Sequence, residues 1–403
     1  MPNTLVQQRV VKTLASAQVL SGVGTAGTVA AGSLLVASIS NSETLAGLAQ
    51  TSAVLGAAAL ALPLARITAK GGRRAALSIG YFAGLIGSIF AIWGGTSRNL
   101  TLMLIGTFLV GAASAAAYQA RFAAIDLATD QTRAKQLSFV VWGSTIGAVA
   151  GPNLMQPSGN FAESIGLPRL VGPYLISAVT LAAAALVINI FLRPDPYLLA
   201  NKDLLNQREK GATKKALSHI GSNPTALFAI AAIAIGHLAM VSVMVMTPVH
   251  MAHVDVTLTV IGLVISVHVL GMFAFSPIVG SLSDRLGRVR VIQIGLAILL
   301  LSAVVSGVAR ANDAYTLGVG LFLLGLGWSC TLIAGSALLS ESVSDTFKAS
   351  SQGASDLVMN LAGAGGGAIA GVIIGTLSYG WLCFSAAVPV TILALLSFKV
   401  RAN

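Results

Sequence analysis

Four side chains of soft or borderline donor character fall at helical spacing in the second half of the chain: Met240 and Met244, then His268 and Met272. The members of each pair are four residues apart, so on a helix each pair shares one face. His237, three residues before Met240, joins the first face. Thioether sulfur is soft and imidazole borderline. Without carboxylate among them, such a set suits Cu(I) better than magnesium, calcium or manganese. Neutral donors also leave no uncompensated negative charge in a low-dielectric site. The competing reading is packing: methionine fills irregular gaps in apolar helices, and a buried histidine commonly serves as a hydrogen-bonded structural residue.

Further polar groups extend the pattern. Met246, His250 and Met251, with His253 beyond them, form a cluster that offers a collection point for metal at the outer end of the same run. Asp356 is a carboxylate inside an apolar run, where ionisable groups are rare and functional by default. It either carries a coupling proton, balances a cation or hydrogen-bonds between helices near Asn360. Arg121, near the end of its run, is expected to snorkel toward water. Cys330 and Cys383 each sit in an apolar run and no CxxC occurs, so neither a disulfide framework nor a zinc site is indicated. There is no nucleophile–base pair and no phosphate loop. The run Gly363-Ala-Gly-Gly-Gly367 reads as close helix packing. An enzyme is not expected.

The elements that must position these residues are membrane helices. Of 403 residues, 55% are hydrophobic and 9% charged, and mean hydropathy is +0.85. A soluble domain carries about 25% charged residues, so this chain must face lipid. Apolar runs fall near 14–38, 44–65, 75–96, 101–123, 136–156 and 171–192, and again near 224–248, 257–281, 290–309, 314–339, 351–376 and 378–398. Each suffices to span a hydrocarbon core of about 30 Å. The polar stretch 193–223 divides them. The expected fold is therefore an all-α membrane protein of twelve spans, with an N-terminal half 1–192, a linker 193–223 and a C-terminal half 224–403.

The net charge of +11 reflects topology rather than nucleic-acid binding. About 21 of the 24 Lys and Arg fall on the side shared by both termini and the linker; only Arg98, Arg169 and Arg310 lie opposite. Positive loops mark the cytoplasmic face, so both termini are expected in the cytoplasm, with the chain in the cell (inner) membrane. The expected partners are lipid and a small-molecule or metal-ion cargo, with no nucleic acid, and the chain is expected to act as a monomer. The seventh and eighth runs turn near residues 252–257, and read as a hairpin they place Met240 and His268 at equal depth, about 20 Å from the turn.

The two halves repeat at an offset of about 215 residues. Gly72-Arg73 matches Gly287-Arg288, Thr44–Leu48 matches Thr259–Leu263, and Asp126, Asp130 and Arg133 match Glu341, Asp345 and Lys348. The first-half counterparts of Met240, Met244, His268 and Met272 are Thr25, Val29, Ala53 and Ala57. The soft donors are thus an addition to one half of a common frame.

Over essentially its whole length the chain resembles the major facilitator superfamily. The most specific motif, Gly280-Ser-Leu-Ser-Asp284-Arg285-Leu-Gly287-Arg288, resembles that superfamily's GxLaDrxGRr loop. The resemblance implies two six-helix bundles and, for this loop, a gate latch rather than a substrate site. Asp284 is suited to cap a helix N-terminus and pair with arginine. In the first-half copy Ala69 takes the aspartate position, so no latch is expected there. Gly147, Gly151 and Pro152 resemble an antiporter motif, but Thr107 stands where proton-coupled drug antiporters carry an intramembrane arginine.

The pair MxxxM and HxxxM, Met240/Met244 and His268/Met272, further resembles the signature of the CcoA-type copper importers, which supply copper for cytochrome c oxidase assembly. That resemblance implies copper import by alternating access, with copper as the transported substrate and no permanently bound cofactor. A sister branch implies riboflavin instead, and Trp142 and Trp328 fall within spans where a planar solute would need stacking partners. Proton-coupled drug efflux is the third expectation.

Overall fold

A computed structural model describes residues 2–41, 45, 48–201, 221–252 and 258–399. The described residues form helices and turns: α1 (Pro2–Ser40), α2 (Leu48–Thr96), α3 (Leu100–Ala123), α4 (Arg133–Asn153), α5 (Met155–Ser164), α6 (Gly172–Phe191), α7 (Pro196–Ala200), α8 (Pro224–Ala252), α9 (Leu258–Phe273), α10 (Ser276–Leu286), α11 (Arg288–Val308), α12 (Ala314–Ser342), α13 (Asp345–Thr376) and α14 (Tyr379–Ser397). Ten described helical segments are long and apolar enough to cross a membrane, and α4 with α5, bent by 55°, makes an eleventh. The 49 residues of α2 hold two crossings, because Gly72 (φ 85, ψ 177) breaks the helix into two arms. Each of the twelve apolar runs thereby falls on helix over most of its described residues. Of the expected linker, residues 202–220 lie outside the described residues, as does His253.

Local chemistry sets several boundaries. Asn99 starts α3 by accepting a hydrogen bond from Leu102 N at 3.0 Å, and Asp313 starts α12 by accepting one from Thr316 N at 3.0 Å. Such caps satisfy donors that the first helical turn leaves open. Gly287 (φ 94) separates α10 from α11 as Gly72 separates the arms of α2. Both adopt a left-handed backbone that glycine alone reaches without steric cost.

The chain forms two compact units. The first comprises Met1–Ala128, Gly143–Thr213 and Asp345–Leu357; the second comprises Thr129–Trp142, Lys214–Ser344 and Val358–Asn403. The division is not a single cut at the linker, since α4 and α13 each contribute one limb to either unit. In the first unit α2 packs chiefly on α3 and α6, and α1 on α6. In the second, α11 packs on α12 and α14, while α8 and α9 both pack on α12. The packing repeats down to the glycines. Gly56 allows α2 to lie against the carbonyl of Phe108, and Gly271 does the same against the carbonyl of Phe322. At each crossing a Cβ would collide with backbone.

Candidate functional site

The soft-donor residues all belong to the second unit. His268 on α9 is fully buried, and its Nδ1 lies 2.8 Å from the carbonyl oxygen of Leu321 on α12. A carbonyl only accepts, so Nδ1 carries the proton and a neutral ring keeps its lone pair on Nε2. That Nε2 is buried and has no hydrogen-bond partner. Met272, one turn on, is 9% exposed. The α9 backbone reaches α12 this closely because Gly325 presents no side chain to the carbonyl of His268 and the amide of Met272. The Leu321 carbonyl therefore fixes the tautomer and orientation of the His268 ring.

On α8, Met240 is buried and Met244 half-buried. His237 is engaged otherwise: its Nδ1 accepts a hydrogen bond from Trp328 Nε1 at 3.0 Å. A neutral ring then holds its proton on Nε2, so neither nitrogen offers a lone pair. The far edge of the ring rests on Gly363 of α13, where a Cβ would stand 2.7 Å from His237 Cδ2. The sequence placed His237 with the methionines as a ligand. The structure instead makes it a buried partner of Trp328.

A second correction concerns the hairpin. Helices α8 and α9 were expected to face each other, but they scarcely touch and each lies along α12 instead. Trp328 of α12 stands between them. It bonds His237 of α8 and meets Phe273 of α9 edge-on, with centroids 5.7 Å apart at 89°. Among the described residues no three His, Cys, Asp or Glu side chains gather as a metal group. The role of Trp328 had no sequence signal beyond its place in an apolar run, because its partner lies 91 residues away.

At the end of α8, the His250 ring stacks on Tyr379 with centroids 4.3 Å apart and planes 8° apart. Tyr379 Oη shares a 2.8 Å hydrogen bond with Thr247 Oγ1. Met251 is fully buried and Met246 half-buried. This cluster is an aromatic–hydroxyl knot around Tyr379. Cys330 is buried beside Gly295, and Cys383 is buried as well.

Asp356 lies in the first unit. Its Oδ1 is 2.6 Å from Arg121 Nη2, and the two side chains are 0% and 2% exposed. Arg121 also donates to the Tyr118 carbonyl at 3.0 Å and sits 4.5 Å over the Phe122 ring. The expected snorkelling of Arg121 is therefore wrong: a buried carboxylate 235 residues away draws it inward.

The loop motif forms a compact ionic knot in the second unit. Asp284 accepts from Ala134 N at 3.0 Å and Lys135 N at 2.8 Å, capping the start of α4. It also pairs with Arg288 at 2.7 Å. Arg288 reaches Glu341 at 2.9 Å and the carbonyl of Asp130 at 2.5 Å. Gly280 lets α10 approach the Ala134 carbonyl, while Arg285 is exposed. A cavity of about 670 Å³ opens beside Asp130, Asp284, Arg288 and Glu341. In the first unit Ala69 supplies no carboxylate. There Asp195 accepts from Arg74 N at 2.8 Å, just after the Gly72 break. Asp195 came from the polar stretch after the sixth run and was not anticipated.

Comparison with known proteins places this architecture. The chain is 34% identical over 386 residues to the uncharacterized MFS-type transporter YddS of Bacillus subtilis, covering 94% of this chain and 88% of the relative. It is 28% identical over 305 residues to the riboflavin transporter RfnT of Brucella anthropi, covering 76% and 74%. The E. coli fucose:proton symporter FucP shares the fold, with a TM-score of 0.73 at 17% identity over 97% of this chain and 98% of that one. The family model for the Major Facilitator Superfamily matches residues 14–257 and 238–402. This chain is a multi-pass membrane transporter that belongs to the major facilitator superfamily.

Proposed function

We propose that this transporter imports copper as Cu(I), with His268 as the anchoring ligand, to serve cuproenzyme assembly such as that of cytochrome c oxidase. One observation carries the reading. His268 is buried, its Nδ1 is held by the Leu321 carbonyl, and its bare Nε2 is buried with no partner. A buried acceptor without a partner is costly, and a soft cation that takes an imidazole lone pair removes that cost. Met272 one turn away supplies thioether sulfur, and Met240 and Met244 offer more on α8. The His250, Met251 and Met246 group is assigned to the entry path rather than to the main site. The test is uptake of radioactive copper into cells under reducing conditions. Loss of uptake in His268→Ala and Met272→Ala supports the reading, and undiminished uptake in that pair sinks it.

A second reading has its own support. The relative RfnT is a riboflavin transporter, and α12 and α9 meet through the edge-on aromatic pair Trp328 and Phe273. A riboflavin-auxotrophic strain expressing the chain decides between the two. Growth on limiting riboflavin together with absent copper uptake would favour the organic cargo.

A further inference from the structure

We propose that Ser351, Gln352 and Ser355 on α13 hold bound water, and that this wet face is a stretch of the transport path. The inference rests on the chain being a transporter and not on copper being its cargo.

A buried serine inside a helix can turn its hydroxyl back to the carbonyl one turn earlier. Ser242 does so with Leu238 at 2.7 Å, and Ser88 with Gly84 at 3.0 Å. Ser351 and Ser355 do not. Both are fully buried, and neither Oγ has a hydrogen-bond partner among the described residues. Beside them Gln352 is buried as well. Its Oε1 accepts from Arg73 Nη2 at 2.7 Å, and that guanidinium is itself fixed on Asp126. Arginine only donates, so the Gln352 amide turns its oxygen to Arg73 and keeps its two N–H donors on Nε2. Nε2 is buried without a partner. Ser351 and Ser355 are four residues apart and Gln352 is three before Ser355, so the three share one face of the helix. All three belong, with Arg73, to the first unit.

Chemistry selects the occupant. The face offers two hydroxyls and an amide nitrogen, all neutral. A hard cation takes oxygen ligands, whereas Gln352 presents N–H. An apolar neighbour would leave each group unpaired, at a cost for each. Water both donates and accepts, and it settles where polar partners converge. At the repeat offset of 215, the counterparts of Gln352 and Ser355 on α4 are Leu137 and Val140, both fully buried. The common frame therefore accepts apolar side chains at these positions, and the polar ones are an addition on α13. Ser351 and Ser355 stand roughly 9 and 15 Å from the start of α13. Water held that far along a spanning helix lowers the desolvation cost of passing a hydrophilic cargo.

Two methionines read the water directly. Met359 lies one turn beyond Ser355 on the same face of α13, and Met103 lies in the apolar cluster of Leu35, Val36 and Ala91; both are fully buried. X-ray pulses split bound water into hydroxyl radicals, which oxidise a neighbouring thioether to the sulfoxide. In the purified full-length protein, mass spectrometry should find Met359 oxidised several-fold more than Met103. In Ser351→Ala/Ser355→Ala the yield at Met359 should fall to that at Met103. Equal yields at the two methionines of the wild type would overturn the water site without recourse to a variant, and so would an unchanged Met359 yield in the double variant. The path is tested by Ser355→Cys in proteoliposomes. The small water-soluble reagent methanethiosulfonate ethylammonium should modify the introduced thiol, resolved by mass spectrometry from Cys330 and Cys383. An unreactive thiol there would overturn the path. If the wild type moves no copper, the copper reading fails and both measurements still decide this one.

Discussion

Arg73 holds Asp126 through two hydrogen bonds, Nε to Oδ2 at 2.8 Å and Nη2 to Oδ1 at 3.0 Å. At the same offset of 215, Arg288 reaches Glu341 with Nε at 3.1 Å and Nη2 at 2.9 Å. The next pair in each loop matches as well: Arg133 meets Asp130 at 2.9 Å and Lys348 meets Asp345 at 2.7 Å. The duplicated frame thus keeps its ionic bonds even where the residue types change.

The two copies differ in burial, and that decides their energetics. Arg73 and Asp126 are 1% and 2% exposed, whereas Glu341 is 26% exposed and also meets Arg133 at 3.2 Å. Arg73→Ala would strand a buried carboxylate and is expected to cost about 3–5 kcal/mol. Arg288→Ala leaves Glu341 with water and a second arginine, and leaves Asp284 with the two backbone N–H donors of α4, so roughly 1–2 kcal/mol is expected. Thermal unfolding of the detergent-purified variants measures both. A Tm drop for Arg288→Ala as large as that for Arg73→Ala would refute the ranking.

Asp284 joins two elements far apart in sequence by capping α4 at Ala134 and Lys135. Asp284→Ala should cost about 1–2 kcal/mol through the lost cap. Asp284→Asn, which keeps an acceptor but not the charge, should recover part of that. Equal losses in the two variants would mean that the Arg288 ion pair, not the cap, dominates.

Much of this is legible in the sequence. Runs of about 20 apolar residues name the spans, and the positions of Gly72 and Gly287 name the breaks. The pairs across α3, α8, α9, α12 and α13 were not legible. Adjacent runs in sequence invited a hairpin of α8 against α9, but α12 takes the contact face of both. The signal for that existed in Gly271 and Gly325, the small residues that let α9 and α12 approach. It names a crossing without naming the partner. Arg121 looked like a snorkelling end residue because Asp356 lies 235 positions on, and nothing in local spacing joins them.

The two histidines should separate in a metal-binding assay. His268 has its Nε2 bare and its Nδ1 held by a carbonyl, whereas the Nδ1 of His237 is occupied by Trp328. Copper content of the purified protein under reducing conditions should fall sharply in His268→Ala and Met272→Ala. In His237→Gln, whose side-chain oxygen can still accept from Trp328, it should stay near the wild-type level. Equal loss in His237→Gln would place the site on α8 and refute the anchoring role of His268.

His237 is held from two sides, and a double-mutant cycle can show it. Trp328→Phe keeps the aromatic bulk but removes the Nε1 donor, leaving His237 Nδ1 buried without it; about 1–3 kcal/mol is expected. Gly363→Ala places a methyl 2.7 Å from His237 Cδ2 and 2.8 Å from Nε2. The ring must move, at a cost of about 1–3 kcal/mol. A ring already displaced by Gly363→Ala no longer meets Trp328 at 3.0 Å, so part of that bond is spent before Trp328 is changed. The double variant should therefore lose less stability than the two single losses together, by about 0.5 kcal/mol or more. Unfolding midpoints of the four proteins give the coupling directly. Strict additivity would show that Trp328 and Gly363 act on His237 independently, and that the ring is not the shared element between α12 and α13.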